Sequence, residues 1–190
     1  MCSFVVYVAI RHVYQKRTAA NEHEVRRIDT TERILLTIVL LGSLLLPVLY
    51  LFTPLLRFAD YRLPAVLPWI GSGAQLVALW LFWRSHADLG VNWSISLEVR
   101  SGHQLVTHGV YRRVRHPMYS AMWLWSVAQA MLLQNWLAGC GALVTFAPLY
   151  WIRTPREERM MREAFGLDYD NYVARTGRLW PRLFRRQRDQ

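Results

Sequence analysis

Three long stretches of this chain carry no charged residue: Ile34 to Leu56, Leu63 to Trp83 and Met118 to Ile152. The first two are close to the ~20 residues a helix needs to cross a bilayer core. The third is too long for one crossing, and its most polar point, Gln134-Asn135, reads as a tight turn between two. Crossings are therefore predicted at 34–56, 63–83, 118–133 and 136–152. An apolar start, Cys2 to Ile10, ends at Arg11 and His12; it predicts either a short fifth crossing over 2–14 or a helix lying in the interface. It lacks the basic start and small-residue cleavage site of a signal peptide. The expected architecture is all-α: one polytopic membrane domain, residues 1–190, with four or five transmembrane helices.

Local signals refine the boundaries. Asp29-Thr30-Thr31-Glu32 resembles a helix start, with Asp29 or Thr30 as N-cap and an acid in the first turn. Pro47 and Pro54 predict kinks, which membrane helices tolerate when neighbours satisfy the freed carbonyl. Pro64 to Pro68 marks a turn into the next crossing. Residues 84–117, punctuated by Gly90, Asn92, Gly102 and Gly109, read as turns with little regular structure. Beyond Arg153 a separate charged helix is expected from Pro155 to Phe165, lying on the membrane or on the loop and stopped by Gly166.

Composition changes the picture less than the distribution of charge. Of 190 residues, 53% are hydrophobic, and the net charge is +10. With four crossings as placed, Arg57 and Arg62 are the only basic residues on one side, and all the others of the 23 share the opposite side. That is the positive-inside pattern, and it assigns the basic side to the cytoplasm. It also removes the reason to invoke nucleic acid; some arginines would instead touch anionic lipid headgroups. Cys2 and Cys140, with no CxxC, read as inert packing residues.

Few motifs point to chemistry. Gly71-Ser72-Gly73 lies inside a predicted crossing and reads as close helix packing. No P-loop occurs, and the six histidines form none of the helical pairs a metal site needs, so no metal is expected. His116-Pro117 differs: proline biases His116 away from helix and suits the first position of the next one. The imidazole would then sit at a helix N-terminus, where N–H groups and nearby Arg112, Arg113 and Arg115 favour an anion. Plain topology explains those arginines equally well. Arg153 and Glu157, four residues apart where the last crossing leaves the membrane, share a helix face. They make either a substrate grip or an ordinary ion pair.

Taken together these residues resemble a known family. The run His103-Gln104-Leu105-Val106-Thr107-His108-Gly109-Val110-Tyr111, then Arg115-His116-Pro117-Met118-Tyr119, is similar to the cofactor motif of isoprenylcysteine carboxyl methyltransferases, part of a wider group with membrane phospholipid methyltransferases. The spacing to Arg153-xxx-Glu157 and to Phe165-Gly166-xx-Tyr169-xx-Tyr172 also matches, so the resemblance covers about residues 85–181. It implies an integral membrane enzyme using S-adenosylmethionine, its pocket built by the C-terminal half and open to the cytosol, with a lipid-like or prenylated substrate entering from the bilayer. By position, His103, Gln104, Leu105, Val106, Tyr111, His116, Pro117, Met118, Tyr119 and Glu157 would contact the cofactor. Arg153 would orient a substrate carboxylate, making Arg153 and Glu157 the catalytic pair.

Elementary chemistry fits that transfer. A guanidinium offers a carboxylate a planar fork, whereas it would repel a protonated amine, which favours an acid over a phospholipid amine as acceptor. Lys16 is the single lysine beside 22 arginines, a bias common in GC-rich bacteria, which points to a bacterial inner membrane and opens the choice of acceptor beyond prenylated proteins to another lipid-like acid, a thiol or an amine. Two other readings stand beside this one: a sterol-reductase-like membrane enzyme holding NADPH with the same arginines, and a membrane scaffold that keeps the fold without turnover.

Overall fold

The computed structural model describes residues 2–19, 30–90 and 104–182. Among these the chain is helical, with two isolated β-bridges and no longer strand. Helix α1 spans Cys2–Ala19. Helices α2 (Thr30–Leu40) and α3 (Leu46–Phe52) are joined by a π-helical turn, Leu41–Leu45, into one run. Helix α4 is Leu67–Leu89, α5 Pro117–Leu133 and α6 Gly141–Arg175.

The π turn falls where Pro47 predicted a kink, and that proline is its cause. In the widened turn the Leu46 N–H bonds to the Leu41 carbonyl. The Gly42 carbonyl would next look to residue 47, but proline has no N–H. Gln129 of α5 supplies the donor instead: its Nε2 reaches the Gly42 carbonyl at 3.2 Å and the Ala138 carbonyl at 2.7 Å. A side chain at Gly42 would stand 2.5 Å from the Gly141 carbonyl, so the missing Cβ lets α6 pass close to the turn. Gly71 packs similarly, since a Cβ there would meet Met131 at 2.9 Å, whereas Gly73 faces open space.

The turn after α5 falls at Gln134-Asn135 as the pattern required. Gln134 adopts a left-handed conformation (φ 47°). Buried Asn135 uses both ends of its amide: Nδ2 donates to the Leu56 carbonyl (2.7 Å) and Asp60 (2.8 Å), while Oδ1 accepts from the Leu137 and Ala138 N–H groups at 3.0 and 2.9 Å. This network locks one end of the bundle. The core lies towards the opposite end, where Leu35, Tyr119, Phe146, Leu149 and Tyr150 bring α2, α5 and α6 together.

Outside that core, large apolar side chains face outwards, among them Leu76, Trp80, Val144 and Trp151. A surface so apolar has no stable partner in water. By length and composition one run among the described residues is long and apolar enough to cross a membrane, Thr30–Phe52. α4 is interrupted by polar residues, and α5, at 17 residues, is short.

Four boundaries differ from expectation. α1 continues to Ala19, held against α4 by Tyr7 on Phe82 (4.3 Å between ring centroids) and Tyr14 on His86 (5.4 Å). α4 runs on to Leu89, taking up the start of the stretch expected to be irregular, because Arg84–Asp88 (2.7 Å) gives its last turn an i,i+4 pair before Gly90 ends it at φ 53°. The last crossing begins at Gly141 rather than 136, since the turn capped by Asn135 occupies the intervening residues. Finally, the charged helix expected from Pro155 is continuous with the crossing: Pro148 and Pro155 are absorbed within α6, and the break comes at Gly166 (φ 49°).

Candidate active site

The basic end of the bundle is assembled from α2, α5, α6 and the chain that follows α6. His116 precedes α5 in a non-helical conformation (φ −123°, ψ 60°), with Pro117 next, as the His-Pro pair required. Its peptide N–H is held by the Arg178 carbonyl at 3.0 Å, and the Arg115 N–H by the Gly177 carbonyl at 2.8 Å. The tail after α6 thus pairs with the segment that carries the motif.

The imidazole does not cap α5. Its Nδ1 lies 3.5 Å from Glu157 and its Nε2 3.3 Å from Glu158. The anions at this helix start are therefore the protein's own carboxylates. Arg112 and Arg113 are exposed. Arg115 turns inwards, donating to Glu158 (3.4 Å) and to the Thr176 (2.6 Å) and Val173 (3.3 Å) carbonyls at the end of α6.

Glu157 is the hub. It accepts from the Tyr119 hydroxyl at 2.5 Å and from Arg153 Nε at 2.8 Å, while its side chain keeps 21% exposure. The i,i+4 ion pair anticipated from spacing is thus present. Arg153 Nη1 also reaches Glu32, in the first turn of α2, at 2.6 Å. Glu158, 5% exposed, is gripped by Arg178 through Nε (3.0 Å) and Nη2 (2.6 Å).

Burial opposes charge on all these groups, yet their mutual contacts outweigh it. Against burial, Glu157 and Glu158 hold the His116 pKa above its ordinary value. Against the same burial, His116 and then Arg153 hold Glu157 below the usual carboxylate range, and His116 with Arg178 does the same for Glu158. The site is an interlocked set of carboxylates and basic side chains at the edge of an apolar bundle.

Of the residues singled out from sequence, His116, Tyr119, Arg153 and Glu157 come together. Pro117 is buried and Met118 half-buried at the start of α5. Tyr111 is buried: its hydroxyl donates to the Ser85 carbonyl (3.4 Å), and its own carbonyl accepts from Tyr172 (2.7 Å). Gln104 is exposed, Leu105 half-buried and Val106 buried; His103 lies outside the described residues. Gly109, at φ 57°, brings the backbone onto Asp88, whose carboxylate takes the Val110 N–H at 2.9 Å. Sequence reasoning missed Glu32, Glu158 and Arg178 as parts of the site. Glu32 had a signal only as a first-turn acid, and Arg178 had none. Among the described residues no cluster of His, Cys, Asp and Glu is arranged to hold a metal ion.

The sequence profile of the isoprenylcysteine carboxyl methyltransferase (ICMT) family matches residues 73–163. Those residues contain α4, the His-Pro motif, α5 and the Arg153–Glu157 pair. That stretch of the chain is similar to the ICMT family. A probable protein-S-isoprenylcysteine O-methyltransferase of rice (Oryza sativa subsp. indica) is 35% identical over 82 residues, 43% of each chain. The human protein-S-isoprenylcysteine O-methyltransferase is 33% identical over 90 residues, 47% of this chain and 32% of the human one. This chain thus spans less than half the length of both relatives. The fold extends the likeness beyond the matched sequence. A solved structure of a eukaryotic intramembrane Ras methyltransferase, ICMT, superposes with a TM-score of 0.57 at 23% identity, over 94% of this chain and 66% of that one. Helices α1 to α3, which matched the family only as hydrophobic segments, therefore share in an ICMT-like membrane fold.

Proposed function

We propose that this chain transfers a methyl group from S-adenosylmethionine to the carboxylate of a lipophilic acceptor, as in protein-S-isoprenylcysteine O-methylation. The observation that carries the proposal is the Arg153–Glu157–Tyr119–His116 cluster standing beside an apolar cavity of ≈ 280 Å³. Tyr7, Leu36, Val39, Met122 and Phe146 are among the residues lining that cavity. Phe146 also packs on Tyr119, with ring centroids 6.1 Å apart, so cavity and polar cluster share a wall. A lipid chain suits the first and a charged headgroup the second.

The residues present fit a cationic methyl donor. Glu157, held below the usual carboxylate range, is partly exposed, and the neighbouring ring of Tyr119 offers a face that attracts a sulfonium. When bound, the donor supplies a methyl on a sulfonium, a leaving group good enough that a carboxylate nucleophile requires no general base. The protein's task is alignment and exclusion of water. Tyr119 and Arg153 orient Glu157 towards the donor, and Arg153 steers the acceptor carboxylate. We assign His103, Gln104, Leu105, Val106, Tyr111, Pro117 and Met118 to the walls of the donor site.

The distribution of basic residues supports four crossings, in Thr30–Phe52, α4, α5 and the first part of α6, with the site on the cytosolic face. The scarcity of lysine supports a bacterial inner membrane. A prenylated or other lipid-like acid from that bilayer is the partner. The test is methyl transfer from labelled S-adenosylmethionine to N-acetyl-S-farnesylcysteine by protein purified in lipid nanodiscs. Formation of a base-labile methyl ester is expected. Absence of S-adenosylhomocysteine binding at millimolar ligand, with thermal stabilisation by NADPH, would replace the reading with a reductase.

A further inference from the structure

Glu32 is an acid of the site to which the proposed reaction gives no part. It lies in the first turn of α2, 121 positions before Arg153 in sequence, yet its Oε1 sits 2.6 Å from Arg153 Nη1. The two side chains are 11% and 13% exposed. Glu157 takes Nε of the same guanidinium at 2.8 Å. The two carboxylates therefore occupy different edges of Arg153.

An acceptor carboxylate binding as a fork needs guanidinium N–H groups in its own plane. Glu157 is pinned at its place by Tyr119 and His116 as well as by Arg153. Glu32 is held to this site through Arg153 and stands on a rotatable side chain at the end of a helix. Of the two partners, Glu32 is the one that can yield.

Resting on the reading that the acceptor is an acid, we propose that Glu32 is an internal competitor for the acceptor: a stand-in for its carboxylate on Arg153 that sets how tightly an acid is held. A guanidinium this enclosed is costly to leave short of counter-charge. Glu32 supplies that charge while the acceptor is absent and keeps the fork oriented. An incoming carboxylate exchanges for it, anion for anion, so the charge around Arg153 is conserved. A lipophilic amine or neutral lipid makes no such exchange and gains nothing from Arg153. After methyl transfer the acceptor is a neutral ester with no claim on Arg153, and Glu32 returns. The competition thus weakens the hold on the acid and leaves the ester, which makes no claim on Arg153, unaffected.

The experiment uses the full chain in nanodiscs, with N-acetyl-S-farnesylcysteine as the acid and its methyl ester as the comparison. KM and kcat for the acid are measured in wild type, Glu32→Gln and Glu32→Asp, alongside direct binding of acid and ester. Removing the competing charge is expected to lower KM for the acid about tenfold in Glu32→Gln, the change of an anion-for-anion competition. kcat should change by a smaller factor, and the affinity ratio of acid to ester should rise. Glu32→Asp, which keeps the charge on a shorter stem, should restore part of the wild-type KM. A folded Glu32→Gln, shown by retained S-adenosylhomocysteine binding, whose KM is unchanged or higher makes Glu32 merely structural and overturns the proposal. If Glu32→Gln does not fold, the Glu32→Asp split decides: KM must fall, and a KM at or above wild type overturns it. Wild type that turns over the acid while the variants show no change sinks the Glu32 assignment alone. Failure of every form, wild type included, to bind or methylate the acid removes the acid-acceptor reading, and this proposal with it.

Discussion

Arg178 closes a two-pronged grip on Glu158, at 3.0 and 2.6 Å, and so fixes the chain after α6 beside the His-Pro motif. The grip is reinforced by Arg115, which reaches Glu158 and the Thr176 carbonyl together. Glu158 is thus the acid that joins the two halves of the site, while Glu157, its neighbour in sequence, takes Tyr119 and Arg153 on the more exposed side.

Removing that joint is expected to be expensive. Glu158→Ala leaves Arg115 and His116 without their carboxylate in a buried setting, which costs about 3 kcal/mol. Arg178 is half-exposed, so Arg178→Ala is expected to cost less, about 1 kcal/mol. Thermal unfolding in a fixed detergent, followed by tryptophan fluorescence, measures both. A Glu158→Ala protein as stable as wild type contradicts the assigned role.

The same contacts fix a pH window. Glu157 and Glu158 have pKa values below the ordinary 4.5, so their contribution is present above 4.5 and is lost as the pH falls through the lower folded values. His116 is raised above 6.5, so its contribution is complete below 6.5 and is lost as the pH rises through the higher folded value. Stability should therefore be flat from about 4.5 to 6.5 and decline on both sides. In His116→Gln the alkaline decline due to this group should vanish while the acid one persists. Melting temperature against pH, compared between the two proteins, reads this directly.

Substitutions at the reacting face should separate donor from acceptor. Glu157→Gln removes the negative charge facing a cationic donor and is expected to weaken S-adenosylhomocysteine binding about tenfold or more, by loss of charge-assisted contacts. Arg153→Lys keeps the charge but not the fork, and should reduce kcat/KM for an acid acceptor by about tenfold or more, with less effect on the donor. Calorimetric titration together with initial rates distinguishes these outcomes. Equal effects of both changes on both ligands would contradict the division of roles.

Within the bundle, Gln129→Leu should strand the Gly42 and Ala138 carbonyls and destabilise by about 1 kcal/mol, the size of interhelical hydrogen bonds in membranes. Gly42→Ala should cost more, because its Cβ would press on the Gly141 carbonyl. Paired melting curves of the two variants supply the comparison.

Much of this architecture is legible in the order of the residues. The charge-free tracts, Pro117 at the start of α5 and the turn at Gln134-Asn135 follow from local rules: hydropathy, proline's missing N–H and the polarity of a single point. The Arg153–Glu157 pair is legible for the same reason, since four residues in a helix are neighbours whatever the rest of the chain does. So is the family resemblance, because its motif is a fixed local spacing.

Contacts between segments far apart in sequence emerge only from the packed fold. Spacing cannot reveal that Gln129 completes a π turn 87 residues away, that Arg178 returns to Glu158, or that Glu32 crosses 121 positions to reach Arg153. Nor can it reveal that α6 runs through two prolines where a break was expected. Hydropathy and helical period act locally, so the order of the residues dictates the helices and the Arg153–Glu157 pair. Which carboxylate meets which cation depended on how those helices pack, because the burial that makes such pairs matter exists only once the bundle has formed.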